Sequence, residues 1–485
     1  MSVKPGTRQL RVIIVGAGMS GICMGVKLRR AGFDDFTILE KAESVGGTWR
    51  ENTYPGLSCD VPSSYYAYTF DPNAEWTHYF SPGAEIREYF ERATRRHGLE
   101  PHIRFGEEVT EARFGDGRWL VATNSGRDKL EADVLVSAAG VLHHPRTPQI
   151  EGLDDFGGAM FHSARWDHSV ALAGKRVGVV GTGSTGVQIV TAVAGVASHL
   201  SMFQRTPQWI LPIPNPSHGG AFKRLMRRPG FARLNYALNA GIFNLLTTST
   251  IKPGWQRKLI DRACRWNLTR VKDPGLRRKL TPDYVPMCKR LVVSSGFYDA
   301  VQCPDVEIVD TAIARIEPGG IRTADGRLHE LDVLVLATGF DAHAYLRPIN
   351  LVGLDGRTLA DAWQGEPRAY KTVCLPGFPN FFMIMGPNSP IGNTSLVPVA
   401  ETQADYALQW IQKIASGEVA WAVPKSEAME RFNTELRDAM PGTVWTTGCD
   451  SWYLGQDGVP MLWPWSPGRF KQTLSEPRLD EFEIH

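Results

Sequence analysis

Two glycine turns carry the clearest chemical signal in this chain. Gly16-Ala17-Gly18-Met19-Ser20-Gly21 follows the apolar run Val12-Ile13-Ile14-Val15, and Gly181-Thr182-Gly183-Ser184-Thr185-Gly186 follows Val177-Gly178-Val179-Val180. Glycine at the first, third and sixth places permits a tight turn, close backbone approach to a pyrophosphate and close packing of the following helix. That helix then points its N-terminus at the phosphate charge. Both turns therefore read as dinucleotide cradles, built on Gly16, Gly18 and Gly21 in one and on Gly181, Gly183, Ser184 and Gly186 in the other. The residue ending the next strand separates the two nucleotides. Phe36-Thr37-Ile38-Leu39 ends in Glu40, a carboxylate that accepts ribose hydroxyls and repels a 2′-phosphate, so the first site suits FAD or NAD. Leu200-Ser201-Met202-Phe203-Gln204 ends in Arg205-Thr206. A guanidinium is the natural partner of a 2′-phosphate, so the second site suits NADPH.

Positioning two such turns takes a repeated fold. Asp133-Val134-Leu135-Val136-Ser137-Ala138-Ala139-Gly140 answers the first turn, and the near-copy Asp332-Val333-Leu334-Val335-Leu336-Ala337-Thr338-Gly339 answers the second. The expected fold class is α/β, with two doubly wound Rossmann-like domains, the NADP domain inserted in the FAD domain. The FAD domain spans 1–145 and 339–485, the NADP domain 146–215 and 285–338, and a helical insertion 216–284. After residue 340, apolar spacing predicts a packed helix over 401–415.

Bulk properties exclude several classes. A net charge of +2 gives no basic field for nucleic acid. No run approaches the roughly 18–20 apolar residues of a spanning helix. The polar start Met1-Ser2-Val3-Lys4-Pro5-Gly6 reads as lacking a secretory leader, so the expected location is the cytoplasm. Seven scattered cysteines read as reduced thiols rather than a disulfide framework or zinc site, and no metal is expected. Flavin disulfide reductases place a redox cysteine pair after a glycine pair. Here Gly46-Gly47-Thr48-Trp49-Arg50 is followed by Cys59 alone, leaving dioxygen as the expected electron acceptor.

Three motifs resemble the type I Baeyer–Villiger monooxygenases, a branch of the class B flavoprotein monooxygenases. Phe156-Gly157-Gly158-Ala159-Met160-Phe161-His162-Ser163-Ala164-Arg165-Trp166-Asp167 matches the family fingerprint FxGxxxHxxxW followed by Pro or Asp. The others are Gly46–Asp60, with Gly47, Thr48, Trp49 and Asp60, and the return segment Ala337-Thr338-Gly339-Phe340-Asp341. The resemblance implies an FAD, reduced by NADPH, that adds oxygen at C4a to give a peroxyflavin. This peroxide attacks a ketone and yields an ester or lactone. It also implies roles. Arg290 stabilises the peroxide, Lys289 lies near the NADP phosphate, and Asp60 positions the arginine near the nicotinamide. Trp49 contacts the flavin, and Trp452 lines the nicotinamide and substrate side. Asn388, in Gly386-Pro387-Asn388-Ser389, brings backbone to the flavin or merely forms a turn. Gly158, His162 and Trp166 sit on a linker, where coupling domain rotation to cofactor state is favoured over proton transfer.

Alternative functions are an N- or S-oxidising flavin monooxygenase, an NADPH oxidase, or a flavin redox sensor. The expected partners are a small-molecule ketone and O2. Lys223–Arg228 followed by Tyr236–Leu246 is basic then apolar. It reads either as a membrane-surface helix or, preferred here, as a helical subdomain with a solvated basic face.

Overall fold

Short β-branched runs punctuated by glycine build two parallel sheets. The computed structural model describes residues 9–126 and 129–485. In the first unit β1 (Val12–Val15) leads through the glycine turn into α1 (Met19–Arg30), followed by β2 (Phe36–Glu40), β3 (Ile103–Phe105) and β4 (Val134–Ser137). In the second unit β5 (Ala159–His162) precedes β6 (Arg176–Val180), α2 (Ser184–Val193) and β7 (His199–Phe203). After the helices α3 (Gly220–Met226), α4 (Pro229–Ile251) and α5 (Trp255–Leu268) come β8 (Val306–Val309) and β9 (Val333–Leu336). The chain then re-enters the first unit with β10 (Phe381–Met383) and α6 (Leu396–Ala415).

The sheet orders are β10-β4-β1-β2-β3 and β5-β9-β6-β7-β8, all parallel. Four strands thus repeat position for position, and only the outer strands β10 and β5 come from outside the repeat. The repeated aspartates do the same work twice. Asp133 accepts from the Arg11 N–H at 2.9 Å, and Asp332 from the Arg176 N–H at 2.8 Å. Each ties the strand that follows it to the start of its neighbour. Arg176 also bonds the Asp332 carboxylate through its guanidinium, and these hydrogen bonds lower the Asp332 pKa to about 2.

Two connections join the units, and they run side by side. The Arg146 N–H donates to the Gly339 carbonyl at 2.9 Å, the Asp341 N–H to the His144 carbonyl at 2.9 Å, and the Thr338 hydroxyl to the Arg146 carbonyl at 2.6 Å. The helix expected from residue 401 begins at Leu396 instead, because the Ser395 hydroxyl accepts from the Val397 N–H and Pro398 falls in the first turn, where no amide donor is needed. Packed against α1, it helps close the core of the first unit.

The cysteine expectation needs correction. Cys288 and Cys449 form a disulfide, with Cα atoms 6.1 Å apart, across 161 residues of sequence. Both are buried, and the remaining five cysteines are free. The bond staples the segment before Lys289-Arg290 to the loop carrying Asp450 and Trp452. Alkylation of the unfolded protein without reductant should therefore label five cysteines, with 288 and 449 recovered in one linked peptide. Labelling of all seven would refute the bond.

Burial pushes six histidines (97, 144, 162, 218, 329 and 343) below their ordinary pKa. Below about pH 6.5 the unfolded chain takes up protons at these positions that the folded one refuses, so stability is present above that pH and falls on acidification. The Tm should drop between about pH 7.5 and about pH 5.5; a flat or rising Tm over that window would contradict this account.

Candidate active site

The glycine turns are needed at atomic detail. At Gly16 (φ +101°) a side chain would meet the Ala138 carbonyl oxygen at 2.7 Å, and at Gly181 (φ +118°) the Ala337 oxygen at 2.3 Å. A Cβ at Gly21 or Gly186 would strike the oxygen of its own first glycine, at 1.9 and 2.2 Å. These four set the strand–turn–helix geometry. The middle glycines differ: Gly183 faces open space, while Gly18 and Gly47 face each other so closely that a Cβ on Gly47 would lie 3.1 Å from the Gly18 Cα. Glycine here keeps a cleft open for a ligand that approaches backbone.

Glu40 is buried at the end of β2 and accepts from the Ala17 N–H at 2.8 Å and the Ala42 N–H at 3.0 Å. It also pairs with Arg50 at 3.1 Å. Arg50, for which the sequence suggests no role, fastens the Gly46–Arg50 segment to this carboxylate. Its partner lies ten positions earlier, a separation at which no local pattern announces a contact.

A cavity of about 500 Å³ opens over this cradle, lined by Gly16, Gly18, Glu40, Gly47, Trp49 and Asp60 among others. A second, of about 1440 Å³, opens over the other cradle and is lined by Gly181, Gly183, Arg205, Thr206 and Lys289. Both are also lined by Gly183, Ser184, Gly339, Arg290 and Trp452. Arg290 grips Asp60 with two hydrogen bonds, Nε to Oδ2 at 3.0 Å and Nη2 to Oδ1 at 2.7 Å. The pair is half-buried and joins the two units at the point where the cavities meet. The Asp60 charge outweighs desolvation and raises the Arg290 pKa further above its usual value, so the guanidinium keeps its charge.

Two tyrosines complete this corner, and neither was among the expected site residues. Burial pushes the Tyr453 phenol up to about 12 despite the nearby Arg290 charge. Tyr66 accepts from Trp49 Nε1 at 3.1 Å, with the two rings edge to face. Burial also raises the Cys59 thiol, which suits a packed side chain rather than a reactive one. Of the tryptophans near the C-terminus, Trp452 lines both cavities, whereas Trp445 and Trp463 are buried in cores.

Arg205 is almost wholly exposed, 3.7 Å from the equally exposed Asp450. Lys289 lies over the Tyr284 ring at 4.9 Å. Burial lowers its pKa, Asp450 opposes that shift and Arg205 adds to it. Arg205 and Lys289 face the solvated carboxylates of Asp450 and Asp283, and the exposed Arg205 is open to a phosphate. The Thr206 carbonyl receives the Thr182 hydroxyl at 2.7 Å, pinning the strand end to the glycine turn.

The fingerprint residues lie outside both cavities. Gly158 has no room for a side chain, since a Cβ would sit 2.5 Å from the Asp332 oxygen. His162 ends β5, and its Nδ1 accepts from the Ala164 N–H at 3.1 Å. Its ring packs edge-on to Phe340 of the return segment. Trp166 packs against Phe161. Beyond it, His168 bonds Thr53 at 2.8 Å, and Arg165 approaches Glu51 at 4.0 Å. The fingerprint therefore spans from the second sheet to the loop after Trp49. Asn388 needs correction as a flavin-facing residue. It lines a separate cavity with Trp363 and Arg437, and Met385, Thr394 and Leu396 are the nearby residues that line the first cavity.

A second clasp between units went unread in the sequence. Tyr54 donates to Gln188 Oε1 at 2.9 Å, and Gln188 Nε2 donates to the Ser58 carbonyl at 3.0 Å. At Gly56 (φ +80°) a Cβ would stand 2.6 Å from the Gln188 carbonyl oxygen, so the loop touches α2 backbone to backbone. The tight Tyr54-Pro55-Gly56 turn was the available signal, but nothing local names its partner.

Residues 13–218 match the family described as pyridine nucleotide-disulphide oxidoreductase. An uncharacterized monooxygenase of Mycobacterium tuberculosis is 54% identical over 98% of this chain and 96% of its own length. A Baeyer–Villiger monooxygenase of Streptomyces coelicolor is 39% identical over 98% of this chain and 92% of its own. Among solved structures, a complex of OTEMO with FAD and NADP superposes with a TM-score of 0.89 at 28% identity, covering 99% of this chain and 100% of that one. By full-length likeness, the paired dinucleotide cradles and the Arg290–Asp60 corner, this chain belongs to the Baeyer–Villiger monooxygenase family.

Proposed function

We propose that the first cradle holds FAD and the second NADPH, and that the protein inserts one oxygen atom of O2 beside a ketone carbonyl to give an ester or lactone. The reading rests above all on Arg290, clamped by Asp60 on the wall common to both cavities. The bound cofactors would supply hydride transfer from NADPH to FAD and the two-electron activation of dioxygen. The protein's own groups do the rest. Gly16, Gly18, Gly21 and Gly47 admit the flavin pyrophosphate, Glu40 takes its ribose, and Thr48 and Trp49 bound its cavity. Gly181, Gly183, Ser184 and Gly186 admit the second pyrophosphate, while Arg205, Thr206 and Lys289 take the 2′-phosphate. Arg290 holds a fixed positive charge where negative charge gathers on reacting oxygen, in a site partly closed to water. Asp60 sets its direction without neutralising its hydrogen-bonding capacity, since a guanidinium has five N–H donors. Trp452 bounds the substrate side. Gly158, His162 and Trp166 transmit movement between units rather than protons. The cytoplasm, where NADPH is available, is the proposed location, and burial shields the Cys288–Cys449 bond from exchange there.

The deciding experiment incubates FAD-loaded protein with NADPH, oxygen and a panel of ketones and sulfides, with products weighed by mass spectrometry. A ketone gaining one oxygen as an ester or lactone is expected. Sulfoxides without any ester would reject the reading. Arg290→Ala should keep NADPH-driven flavin bleaching while product formation falls by roughly 10²–10³; product formed at the wild-type rate would remove Arg290 from the chemistry.

Arg205→Ala should weaken NADPH by about 10–100-fold, the range for a lost charged hydrogen bond, and leave NADH nearly unchanged. Equal losses for both, measured as KM for flavin reduction, would show that Arg205 does not read the 2′-phosphate.

A further inference from the structure

Helix α4 is inside out. Its buried side carries Asn239, Thr247, Ser249 and Thr250 beside Ala232 and Phe243. These polar groups are satisfied: Tyr79 donates to Asn239 Oδ1 at 2.8 Å, Asn239 Nδ2 donates to Ser64 at 3.1 Å, and Thr247, Ser249 and Thr250 donate to carbonyls of the helix itself. Its exposed side, from Leu234 to Thr248, carries no charge at all. There Leu234, Leu238, Ile242 and Leu245 form one stripe at helical spacing, exposed by 55%, 58%, 53% and 43%. Neighbouring α5 continues the surface with Trp255, Leu259 and Trp266, each more than half exposed. Helices α3 to α5 hold eight of the fourteen large apolar side chains left exposed among the described residues. A solvated subdomain, the reading favoured from sequence, would place charge on this side.

Positive charge surrounds the apolar surface. Residues 220–266 hold ten lysines and arginines against the single acid Asp261, although the whole chain is only +2. Arg227 and Arg265 are paired, to Glu75 and Asp261. Arg224, Arg228, Arg233, Lys252, Lys258 and Arg262 are exposed and make no ion pair among the described residues. On α5 the basic and apolar exposed residues interleave along one side, Trp255, Lys258, Leu259, Arg262, Arg265 and Trp266.

We propose that the exposed face of α4 and α5 docks on the surface of an anionic phospholipid bilayer. The apolar stripe and tryptophans enter the headgroup–acyl boundary, and the surrounding lysines and arginines meet lipid phosphates. Charge selects this occupant over a second copy of the chain, because a two-fold pairing of this face would set its basic residues against one another. None of the helices is long and apolar enough to cross a membrane among the described residues, so the contact is peripheral. The other side of α4 reaches toward the first cavity. Tyr236 and Phe243 pack on Tyr65, whose hydroxyl bonds Thr394 at 2.8 Å, and Thr394 lines that cavity. Docking would thus hold the cavity wall at the lipid boundary, where apolar ketones dissolve. That last step rests on the function proposed above; the docking itself does not.

The test is flotation of FAD-loaded protein with vesicles of phosphatidylcholine, with and without phosphatidylglycerol, at low and high salt. Wild type should float with the anionic vesicles and less so at high salt. The double variant Leu238→Glu/Ile242→Glu should lose at least about tenfold in partitioning, while an unchanged flavin spectrum and NADPH-driven bleaching certify its fold. Failure to bind anionic vesicles, equal binding to neutral ones, or undiminished binding by a folded double variant would each overturn the proposal. So would a wild-type dimer that the double variant dissolves while neither protein floats, an outcome that gives the face to a second copy. Because these readouts need no oxygenated product, they stand or fall apart from the ketone reaction.

Discussion

A guanidinium from one unit and a carboxylate from the other meet where the two cavities join, and the placement of many surrounding groups follows from that contact. A half-buried ion pair is a liability when either partner is misplaced, because the remaining charge then faces a partly desolvated site alone. Two parallel hydrogen bonds fix the relative orientation of Arg290 and Asp60 as well as their distance. Each partner is held from behind. Asp60 follows the buried Cys59, in a loop whose start is tied to Glu40 through Arg50. Arg290 follows Cys288 by two residues, and the disulfide to Cys449 brings Tyr453 and Trp452 to the same corner. The arginine is thereby presented to both cavities with its charge intact.

That contact also bears on how the units can move. The backbone joins them through the neighbouring segments around 144–146 and 338–341, a geometry that resembles a double hinge, and the Cys288–Cys449 disulfide links the second unit covalently to the C-terminal part of the chain as well. Polar restraints across the junction include the Tyr54–Gln188–Ser58 clasp, the Arg290–Asp60 pair and the Arg165–Glu51 and His168–Thr53 contacts. Polar contacts of this kind can be exchanged for water at modest cost, whereas Met440, Val444 and Trp445 share an apolar core with the second unit, so rotation about the hinge is permitted most readily where that stretch moves with the second unit. The fingerprint lies along that route. His162 touches Phe340 at the return connection, and the residues just past Trp166 reach the loop that follows Trp49.

What could be read from the sequence was what repeats or recurs locally. The two glycine turns, the contrast between Glu40 and Arg205, and the matched Asp133 and Asp332 each sit within a single strand–turn–helix unit, so spacing alone carries them. The sheets then turned out to repeat strand for strand, with the aspartates bonding equivalent arginine amides. What escaped were contacts between residues far apart in the chain. Cys288 finds Cys449, Tyr54 finds Gln188, and Tyr453 finds Arg290 through tertiary placement that no local period encodes. Asn388 failed for the related reason that a turn after an apolar strand does not reveal which side of the sheet it faces. Met385, three residues earlier, lines the cavity instead.

Helix α4 exposes the same limit in a sharper form. Apolar periodicity says that a helix has a face, but the choice of which face turns inward belongs to the partners it meets. Here Ser64 and Tyr79 offer hydrogen bonds to Asn239, and Thr247 and Thr250 return their hydroxyls to backbone carbonyls one turn earlier. The inward side is therefore satisfied without leucine. The leucine stripe is left in water, where each exposed side chain forgoes the free energy that burial would bring. A few scattered apolar residues on a surface need no explanation, but a continuous row flanked by arginine and tryptophan is unfavourable in solution unless something covers it. The physical conflict lies between local satisfaction inside the fold and an unsatisfied face outside it, and the proposed lipid surface, apolar within and negatively charged at its headgroups, resolves both the stripe and its basic surround.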